Sequence, residues 1–305
     1  MNKDAIQNSA GEIKRCRPLL GTFVEITARG GSPEVLGDGI AAAFSAVEKV
    51  MALMNCHDPF SELSRVNGGA ARAPVQASEW TFRVIEQAQR LAAESDGAFD
   101  VTIAPRLASW GYLPRNPANS RSERLARWSD VELLPGRLVR FRRPLQMDLG
   151  GIAKGFAVDR AVDALRAAGV REGLVNAGGD LRAFGGCEWP VQIRHPRNPI
   201  LGGHAFALRD SAVATSATYF SRKRWRKCWV FPIVDGRTRR PCDDSLSVTV
   251  HAPDALLADA LTKVVFALRE KSASLLRHHG ASALLLDRAG QCAIIAGEKP
   301  APVHA

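Results

Sequence analysis

The sequence predicts an α+β fold in which a largely antiparallel sheet packs against helices. Segments with strand-like alternation and segments with apolar residues at helical spacing are mixed along the chain, and they form no repeat. Neighbouring strand segments are mostly hairpin-like, which is typical of antiparallel sheet. With 305 residues and 46% hydrophobic content, the chain can bury a sizeable core as one large domain or two closely packed halves. We expect the folded unit to cover residues 16–297, with flexible tails at 1–15 and 298–305.

The first predicted elements are one strand and two amphipathic helices. Alternation predicts the strand over residues 22–27. Each helix is indicated by an apolar stripe at a spacing of three or four residues. Ser78 is a suitable N-cap for the second helix, and Gly97 closes it. The stripes consist of Ile40, Phe44, Val47, Met51 and Met54 in the first helix and of Ile85, Ala88, Leu91 and Ala92 in the second.

The later elements alternate between strands and helices. Leu145 and Met147 alternate with polar neighbours, which predicts a short strand that runs into a helix ending at Gly169. The apolar stripe of that helix contains Val158, Ala161, Val162 and Leu165. Further strands are predicted over residues 138–141, 174–176, 191–194 and 246–250, and a further helix over residues 254–268.

The junction between the strand at 145–147 and its helix contains three glycines, in Asp148-Leu149-Gly150-Gly151-Ile152-Ala153-Lys154-Gly155. The amide groups and the dipole of a helix N-terminus attract phosphate. Glycines let a ligand approach the backbone, Lys154 adds a mobile positive charge, and Asp148 adds a carboxylate. The segment therefore predicts an anion-binding site. The alternative is an ordinary strand-to-helix turn with a surface lysine.

Several classes of protein do not fit the sequence. No run of about eighteen apolar residues is available to span a membrane. Residues 1–17 lack an apolar signal core and a lipid-attachment cysteine in a suitable setting, so we expect a cytoplasmic protein. The six cysteines show no Cys-x-x-Cys pair and no Cys/His metal spacing. We interpret them as buried or incidental thiols of a reducing compartment.

The formal net charge of +10 raises the question of a nucleic-acid partner. The segment Arg222-Lys223-Arg224-Trp225-Arg226-Lys227-Cys228-Trp229 interleaves basic and aromatic residues, which can grip a phosphate backbone and stack bases. The same segment can form an exposed hairpin whose aromatics cover the core. We favour the hairpin because no nucleic-acid-binding module accompanies the segment. A third use is attraction for a pyrophosphate or for an acidic protein partner.

A succession of short motifs extends over residues 18–297. The motifs are Leu20-Gly21-Thr22, Ser61-Glu62-Leu63-Ser64-Arg65-Val66-Asn67, Gly97-Ala98-Phe99-Asp100-Val101-Thr102, Trp110-Gly111, residues 148–159, Asn176-Ala177-Gly178-Gly179-Asp180-Leu181, Thr215-Ser216, Asp235-Gly236-Arg237-Thr238, Ser247-Val248-Thr249-Val250 and Asp259-Ala260-Leu261. Taken in order, these motifs resemble those of the ApbE family, the FAD:protein FMN transferases. The resemblance implies an α+β fold and transfer of FMN from FAD to a threonine hydroxyl of an acceptor flavoprotein, with release of AMP and a bound divalent cation, Mg²⁺.

The resemblance implies a set of residues that hold the flavin nucleotide. Asp148 and Lys154 match family positions that contact it, and Gly151 matches a backbone contact to the metal. Two positions differ in type from the family, because His57 and Leu20 stand where Tyr and Met are common. Both exchanges keep a ring or an apolar side chain, so binding can survive them. A further flavin-contacting segment is matched by Ala98, Phe99 and Asp100.

The metal site departs from the family. Asp259 matches a metal ligand, and the position four residues later lies on the same helix face. The family commonly has a metal-binding Thr there, whereas this chain has Lys263. An ammonium group carries only donors and cannot ligate a cation. We expect Lys263 to pair with Asp259 and to replace Mg²⁺ with its own charge, and Thr262 to offer a hydroxyl. The alternative is that Lys263 is a solvated helix residue.

The family histidine is also missing. In the family's His-x-x-Asp-Pro-x-Thr-Gly motif, the His contributes to flavin binding and to activation of the threonine. Pro232 stands at that position, three residues before Asp235, and its side chain can neither accept a proton nor donate a hydrogen bond. His251 is the nearest replacement in sequence, with a structural role as the alternative.

We therefore predict an ApbE-type flavin transferase that binds FAD and acts on a threonine-bearing flavoprotein. Asp259 and Lys263 are its predicted catalytic pair, and we expect neither a nucleic-acid partner nor a membrane span. The alternative from another class is a catalytically impaired or silent FAD-binding or flavin-carrier protein. Lys263 and Pro232 are the residues that distinguish these two functions.

Overall fold

An eight-stranded antiparallel sheet forms the centre of the protein, which confirms the predicted α+β fold. The structure is a computed structural model that describes residues 11–114, 125–194, 202–218, 221–242, 246–287 and 289–296. In spatial order the strands of the sheet are β1 (Glu12–Leu19), β2 (Thr22–Arg29), β6 (Glu172–Ala177), β7 (Asp180–Phe184), β10 (Ala212–Ala217), β15 (Leu246–Ala252), β16 (Ser282–Asp287) and β17 (Cys292–Ile295).

Helices cover one face of this sheet. The predicted stripes of the first two long helices are buried except for Met51, which is half-buried. The predicted caps are present, since Ser78 accepts the amide of Thr81 and Gly97 closes the chain back on Ala92. The main core lies between the sheet and these helices. The helices are α1 (Pro33–Met54), α2 (Glu62–Gly69), α3 (Glu79–Glu94), α4 (Ala104–Ser109), α5 (Ala153–Ala167), α6 (Ala255–Leu268) and α7 (Ala273–His278).

A second, smaller core lies on the opposite face of the sheet. It forms between that face and a two-stranded ribbon, and it includes Trp189, Phe206, Val213 and Leu284. The ribbon consists of β8 (Trp189–Arg194) and β9 (Gly202–Leu208). The remaining strands form one three-stranded and two two-stranded sheets, from β3 (Val75–Gln76), β4 (Val131–Leu134) and β5 (Leu138–Phe141), from β11 (Lys223–Trp225) and β12 (Cys228–Val230), and from β13 (Val234–Asp235) and β14 (Arg240–Pro241).

Two sequence predictions need correction. The predicted strand at 145–147 is not a strand, because the backbone of Met147 pairs with a side chain: its N–H donates to Asn67 Oδ1 and its carbonyl accepts from Asn67 Nδ2, both at 2.9 Å. The predicted N-terminal tail is too long, because residues 12–15 pair with residues 26–29 as part of β1. Residues 1–10 and 297–305 lie outside the described part of the chain.

Asp159 ties α5 to the start of α6. Its carboxylate accepts the amides of Ala255 and Leu256 at 2.9 Å each, and Arg182 Nη1 donates to it at 2.6 Å. The amides of a helix's first turn have no partner within the helix. A buried carboxylate from a neighbouring helix therefore caps α6 and fixes its direction relative to α5.

Gly155 allows α5 and α6 to pack closely. A Cβ at this position would lie 2.0 Å from the Ala255 carbonyl oxygen and 2.9 Å from the Asp259 Cβ. We expect Gly155→Ala to lower the free energy of unfolding by about 1–3 kcal/mol, because an overpacked core shifts its backbone. Gly37→Ala in α1 is the matched control, since its added Cβ meets nothing within 4 Å and should stabilise the helix by about 0.5–1 kcal/mol. Urea unfolding followed by circular dichroism measures both changes, and the same sign for both would contradict the close approach.

Candidate active site

A cleft of about 750 Å³ lies where α1 and β10 end and α5 begins. Its volume is in the range typical of small-molecule and cofactor sites. The lining brings together ten of the residues that the sequence assigned to FAD, to the metal or to catalysis: Leu20, His57, Ala98, Phe99, Asp100, Gly151, Asp148, Lys154, Pro232 and Lys263. Asp259 and Thr262 are buried directly behind this lining.

Two ion pairs lie side by side at the base of the cleft. Lys263 Nζ contacts Asp259 Oδ1 and donates to the Asp259 carbonyl at 2.9 Å, as the spacing of four residues predicted. Lys154 Nζ contacts Asp180 Oδ2. Both carboxylates are buried, whereas the side chains of Lys154 and Lys263 keep 28% and 19% of their surface exposed. The cluster is thus formally neutral and turns its two ammonium groups toward the cleft.

The two carboxylates of this cluster have opposite pKa shifts. Burial alone would raise the pKa of Asp259, but the Lys263 and Lys154 charges outweigh it and lower the pKa below its ordinary value. Burial, and after it the Asp259 carboxylate, raise the pKa of Asp180 to about 6, against the attraction of Lys154. Asp259 is therefore the permanent anion of the cluster.

The N-terminus of α5 faces an anion, as predicted, but the anion belongs to the protein. Gly155 N donates to Asp259 Oδ2 at 3.1 Å. Two preceding amides are also used internally, because Gly150 N donates to Asp148 Oδ1 at 3.0 Å and Ala153 N to the Leu149 carbonyl at 2.8 Å. The amides of the predicted anion-binding site are therefore largely engaged by groups of the protein itself. In this cleft the positive charge that can meet a phosphate comes from lysine side chains.

The residues present do not fit a magnesium site. Mg²⁺ demands an octahedron of oxygen ligands at short distance. Both oxygens of Asp259 are already engaged, one by Lys263 and one by Gly155. Thr262 does not supply the predicted ligand, because its hydroxyl donates to the Asp259 carbonyl and lies 2.7 Å from Ser216 Oγ, on the side of α6 that faces β10.

Gly151 lies opposite the lysine rather than beside a metal ligand set. A Cβ on Gly151 would lie 3.6 Å from Lys263 Cε and 3.7 Å from the Phe99 ring. The lysine stem thus passes between the backbone position and the carboxylate that the resemblance assigns to the metal. This arrangement supports the expectation that Lys263 occupies the cation's place.

Asp148 is held beside a cysteine. Its Oδ1 accepts from Gly150 N and lies 3.5 Å from Cys56 Sγ. Burial raises the pKa of Asp148. Burial and the neighbouring Asp148 charge raise the pKa of Cys56 to about 12. Cys56 is therefore a neutral donor to the carboxylate and not a nucleophile.

Asp100 has a structural task that the resemblance did not indicate. Arg239 Nη2 donates to its Oδ2 at 3.1 Å, and both the amide and the hydroxyl of Thr102 donate to its Oδ1 at 2.7 Å. The amide of Trp128 adds a contact at 3.3 Å. Its carboxylate is thus committed to neighbours within the protein. Asp100 therefore shapes the wall of the cleft, and its place in the flavin-contacting segment stays a prediction.

His251 does not replace the histidine missing at Pro232. It is paired with Val213 across β10 and β15, and Val213 belongs to the core on the β8–β9 face of the sheet. Its Nε2 contacts Ser211 Oγ at 3.0 Å. Side chains on a strand alternate between faces, and the helices that build the cleft cover the other face. Among the described residues, His57 is the histidine that lines the cleft.

One other group of possible metal ligands occurs in the described part of the chain, outside the cleft. Glu94, His278 and His279 bring their ligand atoms within 4.8 Å of one another. Glu94 is already held by Arg90 at 2.8 Å and by His279 at 2.6 Å. These contacts satisfy the carboxylate and tie α3 to α7.

Sequence reasoning missed the role of Asp180. This residue follows a turn in which Gly178 and Gly179 have φ values of 62° and 103°, and it pairs with Ala214 on the helix-covered face of the sheet. A carboxylate on a buried face requires a cationic partner. That requirement, applied to Asp180 in the glycine-containing motif after the predicted strand at 174–176, was the available signal for a pair with a lysine.

No helix among the described residues has both the length and the apolar character that crossing a membrane would need.

Comparison with known proteins adds three findings. Residues 20–285 match the model of the ApbE family. An FAD:protein FMN transferase of Klebsiella pneumoniae (strain 342) is 31% identical over 253 residues, which are 77% of this chain and 77% of that relative. The crystal structure of the ApbE protein from Thermotoga maritima is similar with a TM-score of 0.82 at 26% identity, over 92% of this chain and 96% of that one.

Proposed function

The chain belongs to the ApbE family, and on that premise we propose that it transfers FMN from FAD to a threonine hydroxyl of an acceptor flavoprotein. In this reaction the threonine oxygen bonds to the phosphorus of the FMN half, the bridging P–O bond of the pyrophosphate breaks, and AMP leaves with the bridging oxygen. One observation carries the proposal: ten residues chosen from sequence line a single cleft that presents two lysines at its base.

The cleft suits the flavin ring and the pyrophosphate of FAD. Phe99, Leu20 and Met51 supply an apolar wall for a flavin ring. Lys154 and Lys263 supply positive charge for the pyrophosphate. Phosphoryl transfer depends mainly on positioning and on neutralising charge at the phosphate oxygens. We assign both tasks to the two lysines, because the ligand set does not fit a metal.

A second candidate function is a silent FAD-binding or flavin-carrier protein. Pro232 lines the cleft where the family places its histidine, and it offers no base. Without a general base the threonine hydroxyl keeps its proton, and the rate falls although FAD stays bound. The same residues thus support FAD binding in both functions, and chemistry separates them.

A direct experiment separates the two functions. The purified protein is incubated with FAD and a threonine-bearing flavoprotein acceptor domain prepared without flavin, with and without Mg²⁺. Intact-mass spectrometry of the acceptor then reports a gain of one FMN. A gain that is lost when the acceptor threonine is replaced by valine supports the transferase. FAD binding with no gain over many hours supports the carrier.

Lys154 is expected to control affinity for the pyrophosphate. Lys154→Met should weaken FAD binding by about 10-fold to 100-fold, because it removes one charge-assisted contact to phosphate, and should leave riboflavin binding unchanged. Lys154→Arg keeps the positive charge, so it is the matched control and should lose less FAD affinity than Lys154→Met. Quenching of flavin fluorescence measures the affinities of the native protein and both variants for FAD and for riboflavin. Equal loss of FAD and riboflavin affinity would show that Lys154 acts on the fold and not on phosphate.

A further inference from the structure

The hairpin formed by β11 and β12 carries a cluster of exposed positive charge. Its ten residues from Ser221 to Val230 include five basic residues and no acidic one, in a chain of net charge +10. No ion pair joins any of the five to a carboxylate of the described residues. The basic residues, all exposed, are Arg222, Lys223, Arg224, Arg226 and Lys227.

Aromatic rings hold these charges in place. Arg222 and Arg224 lie over the Trp229 ring at 4.7 and 5.9 Å, and Arg226 lies over Trp225 at 4.5 Å. The Trp229 side of the hairpin stays open, with 46% of that residue exposed. Only part of the sequence prediction is therefore right: the segment is an exposed hairpin, but Trp229 does not cover the core. Arginine and exposed tryptophan are typical of residues that anchor protein interfaces.

The hairpin is fixed beside the cleft. Tyr112 lines the cleft, and its hydroxyl lies 2.6 Å from the Ser221 carbonyl and 2.8 Å from the Val230 carbonyl, so it joins the two ends of the hairpin. Pro232, two residues beyond Val230, is itself part of the lining. The hairpin therefore lies next to a wall of the cleft, within reach of a macromolecule that inserts a side chain there.

The five basic residues are placed for a partner outside the cleft. None of them belongs to the lining, so the pyrophosphate of a bound nucleotide is served by Lys154 and Lys263 instead. We propose that the hairpin of residues 221–230 is the docking surface for the acceptor protein, and that the acceptor carries an acidic patch beside its target threonine. This inference rests on the proposed function. Complementary charge accelerates encounter and fixes orientation.

Charge reversal on the hairpin tests the proposal. R222E/R224E/K227E changes the net charge by six, and R83E/K271E/R277E makes the same change at exposed positions elsewhere. Binding of the flavin-free acceptor domain is measured by fluorescence anisotropy, and transfer by its KM and kcat. We expect the hairpin variant to bind the acceptor about 10-fold or more weakly and its KM for the acceptor to rise by a similar factor, with FAD affinity and kcat within about twofold. The control variant should bind the acceptor like the native protein. Poly-L-glutamate should compete with the acceptor for the native protein.

Three results would overturn the docking surface. If the hairpin variant and the control variant lost the same acceptor affinity, the effect would come from net charge alone. A loss of FAD affinity in the hairpin variant, with the acceptor unaffected, would assign the hairpin to the nucleotide. Binding of a single-stranded oligonucleotide that only the hairpin variant loses, again with the acceptor unaffected, would assign it to nucleic acid.

Failure of docking and failure of the transferase give different results. Hairpin-dependent acceptor binding without any FMN transfer would contradict the proposed function and leave the docking surface intact. Transfer that proceeds at the same KM in the native protein and the hairpin variant would contradict docking and leave the function intact.

Discussion

The double substitution Pro232→His/Lys263→Thr is expected to raise the rate of FMN transfer by about a hundredfold to ten-thousandfold when Mg²⁺ is present. Histidine supplies a group that can take the threonine proton, and a general base contributes a factor of this size. Threonine removes the ammonium that contacts Asp259 and adds an oxygen, the ligand type that Mg²⁺ prefers. Single-turnover transfer to the acceptor domain, read by intact mass, measures the gain.

The single substitutions separate the two contributions. Groups that act as a unit are not additive, so Pro232→His and Lys263→Thr alone should each gain little. Magnesium should change FAD affinity little in the native chain and clearly in Lys263→Thr. Lys263→Met is the matched control, because it removes the charge without adding a ligand and should not respond to Mg²⁺. A strong response of the native protein to Mg²⁺ would show that its cation site is intact.

Asp159→Ala is expected to lower the free energy of unfolding by about 3–5 kcal/mol. Breaking a buried ion pair by removing one partner has an effect of this size, and here Arg182 would keep its charge without a partner while the Ala255 and Leu256 amides lose their acceptors. Chemical denaturation of the native and variant proteins measures the difference.

Asp163→Ala is the control for this loss. Asp163 lies one turn further along α5 and pairs with Arg160, but 42% of its side chain is exposed. Exposed pairs contribute at most about 1 kcal/mol. If both variants lost the same stability, the effect would come from the helical substitution itself and not from the cap on α6.

The sequence predicted most elements because their signals are local. The stripe in α1 and the Ser78 cap of α3 depend on residues within a few positions of each other. The strand predicted at 145–147 failed for a non-local reason. The partner of Met147 is the side chain of Asn67, eighty positions away in the chain, and alternation cannot distinguish an amide side chain from a neighbouring strand.

The same difference between local and non-local contacts explains which parts of the site the sequence predicted. The contact of Lys263 with Asp259 follows from helix geometry over four residues, and the sequence predicted it. The pair of Asp180 with Lys154 and the position of His251 depend on which strands are neighbours and on which face each residue lies. His251 is close to the motif in sequence, yet the sheet itself separates it from the cleft. The pairing register of β10 and β15 decides on which face of the sheet His251 lies, and distance along the chain does not.

The contact between Lys263 and Asp259 changes what the protein needs from its surroundings. A free metal ion occupies its site according to its concentration, and a chelator can remove it. A lysine side chain is present at one copy per site in every molecule and cannot diffuse away. If Lys263 neutralises the pyrophosphate, the affinity for FAD does not depend on the concentration of a free metal ion. Only a change in the sequence can then remove this cation from the site.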